Sequence, residues 1–165
     1  MLLIFDLDDT LIPRLPDNYT PKDLKNLRLL PGAEEILTLN LPGVNKILVT
    51  KEIDMGLQNK KIDAVGIRNY FTRIMICFDD PDKRNCFRDS SERYQDKDVW
   101  IIGDRLDSEI RYGNKLGFKT IRLKQGKYKD LEPKDDSEIP TVTINSLTEL
   151  AQVLNLSNSN IKFKD

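Results

Sequence analysis

The 165-residue chain sets 26 Lys and Arg against 27 Asp and Glu, a net charge of −1, with 39% hydrophobic and 32% charged residues and no histidine. That length and composition suit one globular domain and exclude a disordered chain. The near-neutral charge, with no long basic block, gives no field for nucleic acid or an anionic membrane, and the missing histidine excludes Ser-His-Asp, Cys-His and histidine–zinc chemistry.

In chain order, Leu2–Phe5 is apolar throughout and ends at Asp6, the pattern of a strand buried on both faces. The N-terminal MLLIFDLDDT lacks a basic n-region and its apolar run is short, so neither a signal peptide nor a membrane span is expected. Residues 11–31 are predicted irregular, because Pro13, Pro16, Pro21 and Pro31 interrupt them, with a short helix over Lys22–Leu29. A helix over Ala33–Leu39 precedes a strand, Lys46–Val49, that ends at Thr50. A helix over Glu52–Lys61, a strand over Arg73–Phe78 and a helix over Asp82–Tyr94 follow. The strand Val99–Ile102 runs into Gly103-Asp104, and the helix Ser108–Leu116 is closed by Gly117. A strand over Lys119–Leu123, a polar loop over 124–140, a strand over Thr141–Ile144 and a helix over Leu147–Leu154 complete the pattern, with a frayed tail over 156–165. Cys77 and Cys86 match no zinc or disulfide framework and read as reduced, partly buried thiols of a cytoplasmic protein.

Strands alternating with helices predict an α/β fold. The expectation is a three-layer α/β/α doubly wound parallel sheet in a single domain over 1–155. Ligands bind such sheets beyond the carboxyl ends of the strands, where this chain places Asp6, Thr50 and Asp104. Asp6 and Asp8 lie two apart in an extended segment and so face one site. Two carboxylates that close repel unless a cation intervenes, and all-oxygen ligands suit Mg²⁺. Thr50 is placed to cap a helix or to donate to an anion. Gly103 lets the backbone turn tightly beside the acids that follow it.

The segment Phe5-Asp6-Leu7-Asp8-Asp9-Thr10-Leu11 is similar to the first signature, DxDx(T/V), of the haloacid dehalogenase-like superfamily. The resemblance implies Asp6 as the nucleophile that forms an aspartyl-phosphate and Asp8 as the general acid/base. Dehalogenase members lack the second Asp, so Asp8 tilts the chain toward phosphoryl transfer. Lys46–Thr50 resembles the second signature and implies that Thr50 binds a phosphoryl oxygen. Lys51 stands where the family often has Asn or Gly, and is expected to face solvent. The family's lysine corresponds to Lys83 in Asp79-Asp80-Pro81-Asp82-Lys83, with Arg84 competing because the usual Lys-Pro is missing. Val99–Ile110 resembles the fourth signature, implying Asp104 as a metal ligand and Glu109 as the second acid, with Asp107 fitting the spacing less well. The implied Mg²⁺ site is therefore Asp6, Asp8 (through its carbonyl), Asp104 and Glu109.

Most members carry a cap domain, and neither 11–31 nor the Thr50–Lys83 interval is long enough to hold one. An open site leaves room for a large phosphorylated substrate or for closure by a second copy of the chain. The reading that follows is a Mg²⁺-dependent phosphomonoester hydrolase. Its alternatives are a phosphoacceptor module, which would use an acid at the third strand such as Asp79, and a binding scaffold on the same fold.

Overall fold

A computed structural model describes residues 1–52 and 56–155 of the chain. The expected tail over 156–165 lies outside the described residues. Six strands form one parallel sheet: β1 (Leu2–Phe5), β2 (Asn45–Lys51), β3 (Arg73–Cys77), β4 (Val99–Gly103), β5 (Lys119–Leu123) and β6 (Val142–Ile144), in the order β3-β2-β1-β4-β5-β6. β1 is central because all four of its residues are apolar and wholly buried, which only a strand covered on both faces tolerates. It pairs with β2 (Phe5 opposite Leu48) and with β4 (Phe5 opposite Ile102). The crossovers leave β1 in opposite directions, so the crevice beyond its carboxyl end is the topological switch point.

The period-two pleat divides these strands between two cores. Leu3, Phe5, Leu48 and Ile102 pack on one face with Leu7, Leu11, Ile62 and Leu147. Leu2, Ile4, Ile47, Val49 and Ile101 pack on the other with Cys77, Cys86 and Phe87. Both cysteines are buried and unbridged.

The helices are α1 (Pro21–Asn26), α2 (Ala33–Thr38), α3 (Leu57–Ala64), α4 (Asp80–Tyr94), α5 (Arg111–Lys115) and α6 (Leu150–Val153). α1 starts on a capping box between Thr20 and Asp23, and Gly117 takes the left-handed conformation expected of it (φ 75°). Several expected boundaries moved, three of them near the strand ends and the loop beyond. The helix expected from Glu52 begins at Leu57, and 53–55 lie outside the described residues. The helix expected over Ser108–Leu116 is preceded by a wide π-helical turn over Leu106–Ile110 before α5. The polar 124–140 loop contains two 3-10 turns, Gly126–Tyr128 and Asp136–Glu138, because Asp135 caps the second through Ser137 N. No helix among the described residues is long and apolar enough to cross a membrane.

Candidate active site

Three strand ends bring the expected carboxylates and hydroxyl together. Asp6 follows β1, Asp104 follows β4 and Thr50 lies near the end of β2. All three are buried, which is costly for charged groups unless partners or a cation compensate.

The chain turns back on itself immediately after Asp6. Leu7 O accepts from Thr10, Leu11 and Ile12 N, and Asp9 N donates to Ile12 O at 2.7 Å. This coil forces Asp9 into the left-handed region (φ 58°), a conformation Asp tolerates better than most residues. Asp9 is then pinned by Arg14, whose N and Nε donate to its two oxygens at 3.0 and 3.1 Å, and by Lys127 N at 3.2 Å. Gly126 seals this contact from the other side, since a Cβ there would overlap the Asp9 carboxyl carbon. Asp9 thus holds the loop that presents Asp6 and Asp8.

Lys83 lies at the first turn of α4, whose start is fixed by Asp79 accepting from Asp82 N at 2.7 Å. The buried face of α4 is Lys83, Cys86, Phe87 and Ser90, a helical stripe in which the lysine takes a core position. Its Nζ donates to Asp6 Oδ1 at 2.6 Å and to Glu109 Oε1. Arg84 is exposed, so of the two candidate cations it is Lys83 that touches Asp6. Burial would lower the Lys83 pKa, but the Asp6 and Glu109 carboxylates outweigh it and raise it above its ordinary value. Burial would likewise raise Glu109, but Lys83 holds it below the ordinary carboxylate range.

Glu109 reaches this position through the wide 106–110 turn. Its second oxygen accepts from Arg105 N at 3.2 Å, and its side chain lies against Gly103. A Cβ at residue 103 would overlap the Glu109 side chain. Gly103 is therefore required by close approach, because its φ is not in the left-handed region. Both Glu109 oxygens are engaged by these donors. Asp107 is drawn outward instead, accepting from Arg105 Nε at 3.0 Å.

Asp104 has the opposite environment. Both of its oxygens are buried without a hydrogen-bond partner among the described residues. Desolvation, then Glu109 and Asp6, push its pKa up to about 9. Asp6 is raised to about 6, chiefly by burial, with Lys83 opposing and Glu109 and Asp8 adding to the rise. A buried carboxylate with bare oxygens beside two more acids is what a hard divalent cation satisfies. The residues present therefore fit Mg²⁺, with Asp104 and Asp6 as the oxygen donors.

Asp8 is held by two residues that sequence reasoning missed. Lys61 Nζ donates to its Oδ1 at 2.8 Å and Gln58 Nε2 to its Oδ2 at 2.9 Å. The same amide nitrogen lies 2.8 Å from Thr50 Oγ1 and 2.9 Å from Lys51 O. α3 buries Gln58, Lys61 and Ile62. Two polar side chains on the buried stripe of a helix were the available signal. Lys51 also departs from expectation: it pairs with Asp80 at 2.8 Å rather than facing solvent alone. Asp80 in turn lies near Arg105, whose guanidinium stacks on Tyr128. A cleft of about 360 Å³ opens beside Asp8, with Arg14, Tyr19, Lys51, Gln58 and Lys61 in its walls.

Comparison with known proteins bears on this constellation. The HAD-hydrolase-like family model matches residues 83–150. The chain is 30% identical over 102 residues to the glyceraldehyde 3-phosphate phosphatase of Methanopyrus kandleri, covering 59% of this chain. It spans 44% of the length of that relative. It is 27% identical to the Pyrococcus furiosus protein of the same name over 172 aligned positions, which cover 93% of this chain and 71% of the relative. Among solved structures, it resembles D,D-heptose 1.7-bisphosphate phosphatase from B. bronchiseptica, complexed with magnesium and phosphate. The TM-score is 0.73 at 20% identity, over 94% of this chain and 99% of the other, and the likeness is one of fold.

Proposed function

The chain belongs to the haloacid dehalogenase-like hydrolases, and from that premise we propose that it is a Mg²⁺-dependent phosphomonoester hydrolase with Asp6 as its nucleophile. The observation that carries this reading is the contrast between Asp6, paired with Lys83, and Asp104, bare and buried beside it. One carboxylate is oriented to react while the other waits for a cation.

The residues then have defined roles. Asp6 attacks phosphorus, and the bond from phosphorus to the leaving oxygen breaks as the aspartyl-phosphate forms. Asp8 gives a proton to the departing oxygen, then takes one from the water that attacks the same phosphorus and frees Asp6. Thr50 donates its hydroxyl proton to a non-bridging oxygen. Lys83, locked by Glu109, supplies a fixed positive charge where negative charge gathers. Asp6, Asp104 and the Asp8 carbonyl would hold Mg²⁺, which would supply positive charge to neutralise the phosphoryl group. Glu109 serves the metal indirectly, because its oxygens already hold Lys83 and the Arg105 amide.

The substrate in this reading is a small phosphomonoester. The curated relatives named above are glyceraldehyde 3-phosphate phosphatases, and the cleft beside Asp8 suits a leaving group of a few carbons. Residues 11–31 contain one six-residue helix and no cap, yet Arg14, Pro16 and Tyr19 from this segment wall the cleft. A phosphoacceptor role at Asp79 is disfavoured, because that side chain caps α4. The test is phosphate release from p-nitrophenyl phosphate, glyceraldehyde 3-phosphate and a phosphomonoester panel, with Mg²⁺ or EDTA, for wild type and Asp6→Asn. Turnover that needs Mg²⁺ and Asp6 supports the reading; turnover in EDTA, or in Asp6→Asn within about tenfold of wild type, rejects it.

A further inference from the structure

We propose that Gln58 and Lys61 form a clamp that positions the Asp8 carboxylate for proton transfer to the leaving group; this rests on the phosphatase reading above. Each residue bonds a different oxygen of Asp8, Lys61 to Oδ1 and Gln58 to Oδ2. Two donors on two oxygens fix the carboxylate's rotation as well as its place. Both clamp residues are buried, at 3% exposure for Gln58 and 5% for Lys61, so neither is a passing surface contact.

The orientation of the Gln58 amide is dictated by its neighbours. The Lys51 carbonyl can only accept, so the amide nitrogen must face it and, with it, Asp8 Oδ2. The cost is visible at the other end, where Gln58 Oε1 is buried without a partner among the described residues. That sacrifice makes sense if the nitrogen side has a task. The same nitrogen lies 2.8 Å from Thr50 Oγ1, so its two protons are shared among three oxygens. One amide thereby touches both the acid and the threonine proposed to bind phosphate.

α3 is suited to carry the clamp. Positions 58, 61 and 62 share one helical face, and Ile62 anchors that face in the core. The clamp also lines the cleft beside Asp8, where a leaving group would extend. Gln58 and Lys61 are thus positioning residues that act through Asp8 and Thr50.

A clamp on the acid has a kinetic signature that a structural role lacks. Proton delivery matters for an alkoxide leaving group and little for p-nitrophenolate, which departs unaided. kcat/KM reports the steps through release of the leaving group. Lys61→Met and Gln58→Leu are therefore compared with wild type on glycerol phosphate and p-nitrophenyl phosphate, with Mg²⁺ present. The expected result is a loss of kcat/KM on glycerol phosphate about tenfold or more beyond the loss on p-nitrophenyl phosphate. Asp8→Asn should show the same selectivity, and Lys61→Arg should recover part of it. Should Lys61→Met fail to fold, Gln58→Leu carries the comparison. Equal losses on both esters, or none, overturn the clamp while leaving the phosphatase reading intact. Wild-type protein inert on both esters overturns the phosphatase reading and the clamp with it.

Discussion

With both oxygens buried and unbonded, and with its pKa pushed up to about 9 by burial and by Glu109 and Asp6, Asp104 weakens the metal-free fold at neutral pH. The ordinary carboxylate value of 3.8 lies about three pH units below pH 7, and each unit corresponds to about 1.4 kcal/mol. Keeping Asp104 protonated in the folded state at pH 7 therefore costs about 4 kcal/mol. The sign follows from the direction of the shift. A carboxyl raised on folding contributes stability that is complete below about pH 4 and is lost as pH climbs toward 9. Asp104→Asn removes this dependence, and its amide can donate to the neighbouring carboxylates. The variant should be more stable than wild type by about 2–4 kcal/mol in EDTA at pH 7, the lower end allowing for burial of the amide. The advantage should vanish near pH 4. Mg²⁺ narrows the gap: at a hundred times its dissociation constant it adds about 2.7 kcal/mol to wild type and nothing comparable to the variant. Urea denaturation at pH 4, 7 and 8.5, with EDTA or Mg²⁺, measures all of this. A variant less stable than wild type in EDTA at pH 7, or equal Mg²⁺ stabilisation of both proteins, would refute the reasoning.

Three further perturbations test other parts of the site. Lys83→Met leaves Asp6 and Glu109 buried without their shared cation and should cost about 3–5 kcal/mol of stability at pH 7. The Lys83→Met/Glu109→Gln double variant should recover part of that loss in the same denaturation assay, and strict additivity would show that the pair is not coupled. Gly126→Ala forces a Cβ onto the Asp9 carboxyl at a positive φ of 69° and should destabilise by about 1–3 kcal/mol. It should also lower turnover, because the displaced Asp9 anchors the loop bearing Asp6 and Asp8; a melting temperature and rate unchanged from wild type would reject that anchoring role. Lys46 Nζ bonds the Leu37 and Leu39 carbonyls at the end of α2, and burial lowers its pKa to about 8. The folded state thus binds fewer protons than the unfolded state between about pH 8 and 10.5, so this residue adds stability as pH rises through that window. Lys46→Met should remove that rise from thermal melts, and a persistent rise would assign it to other groups.

Much of this site was legible because strand ends and side-chain character coincide. The apolar runs before Asp6, Thr50 and Asp104 could only be buried parallel strands, and the crevice rule then gathered the three residues. Lys83 was reached through the family resemblance and its place after the third strand, with Arg84 left competing; its core position on the stripe Lys83, Cys86, Phe87 and Ser90, where an uncompensated lysine would not survive, appears only in the folded helix. Gln58 and Lys61 were missed although they obey the same logic on α3. Placing that helix from Glu52 blurred which face was buried, and neither residue follows a strand. The division of labour between Asp104 and Glu109 was not readable from spacing either. Both are acids after β4, and only the wide 106–110 turn delivers Glu109 to Lys83 while leaving Asp104 bare. The role of Gly103 was similarly hidden, since close packing against a side chain six residues on leaves no local mark. Lys51 found Asp80 because α4 starts where β3 ends, a tertiary fact with no sequence signature.

The central claim is that Asp6 becomes covalently phosphorylated. Asp8→Asn protein mixed with Mg²⁺ and ³²P-labelled p-nitrophenyl phosphate, then quenched in acid, tests it most directly, because the leaving group needs no proton while release from Asp6 is slowed. The account predicts a hydroxylamine-sensitive label on the peptide that contains Asp6, absent from the Asp6→Asn/Asp8→Asn double variant. Label that persists in the double variant, or that maps to another residue such as Asp79, would contradict it.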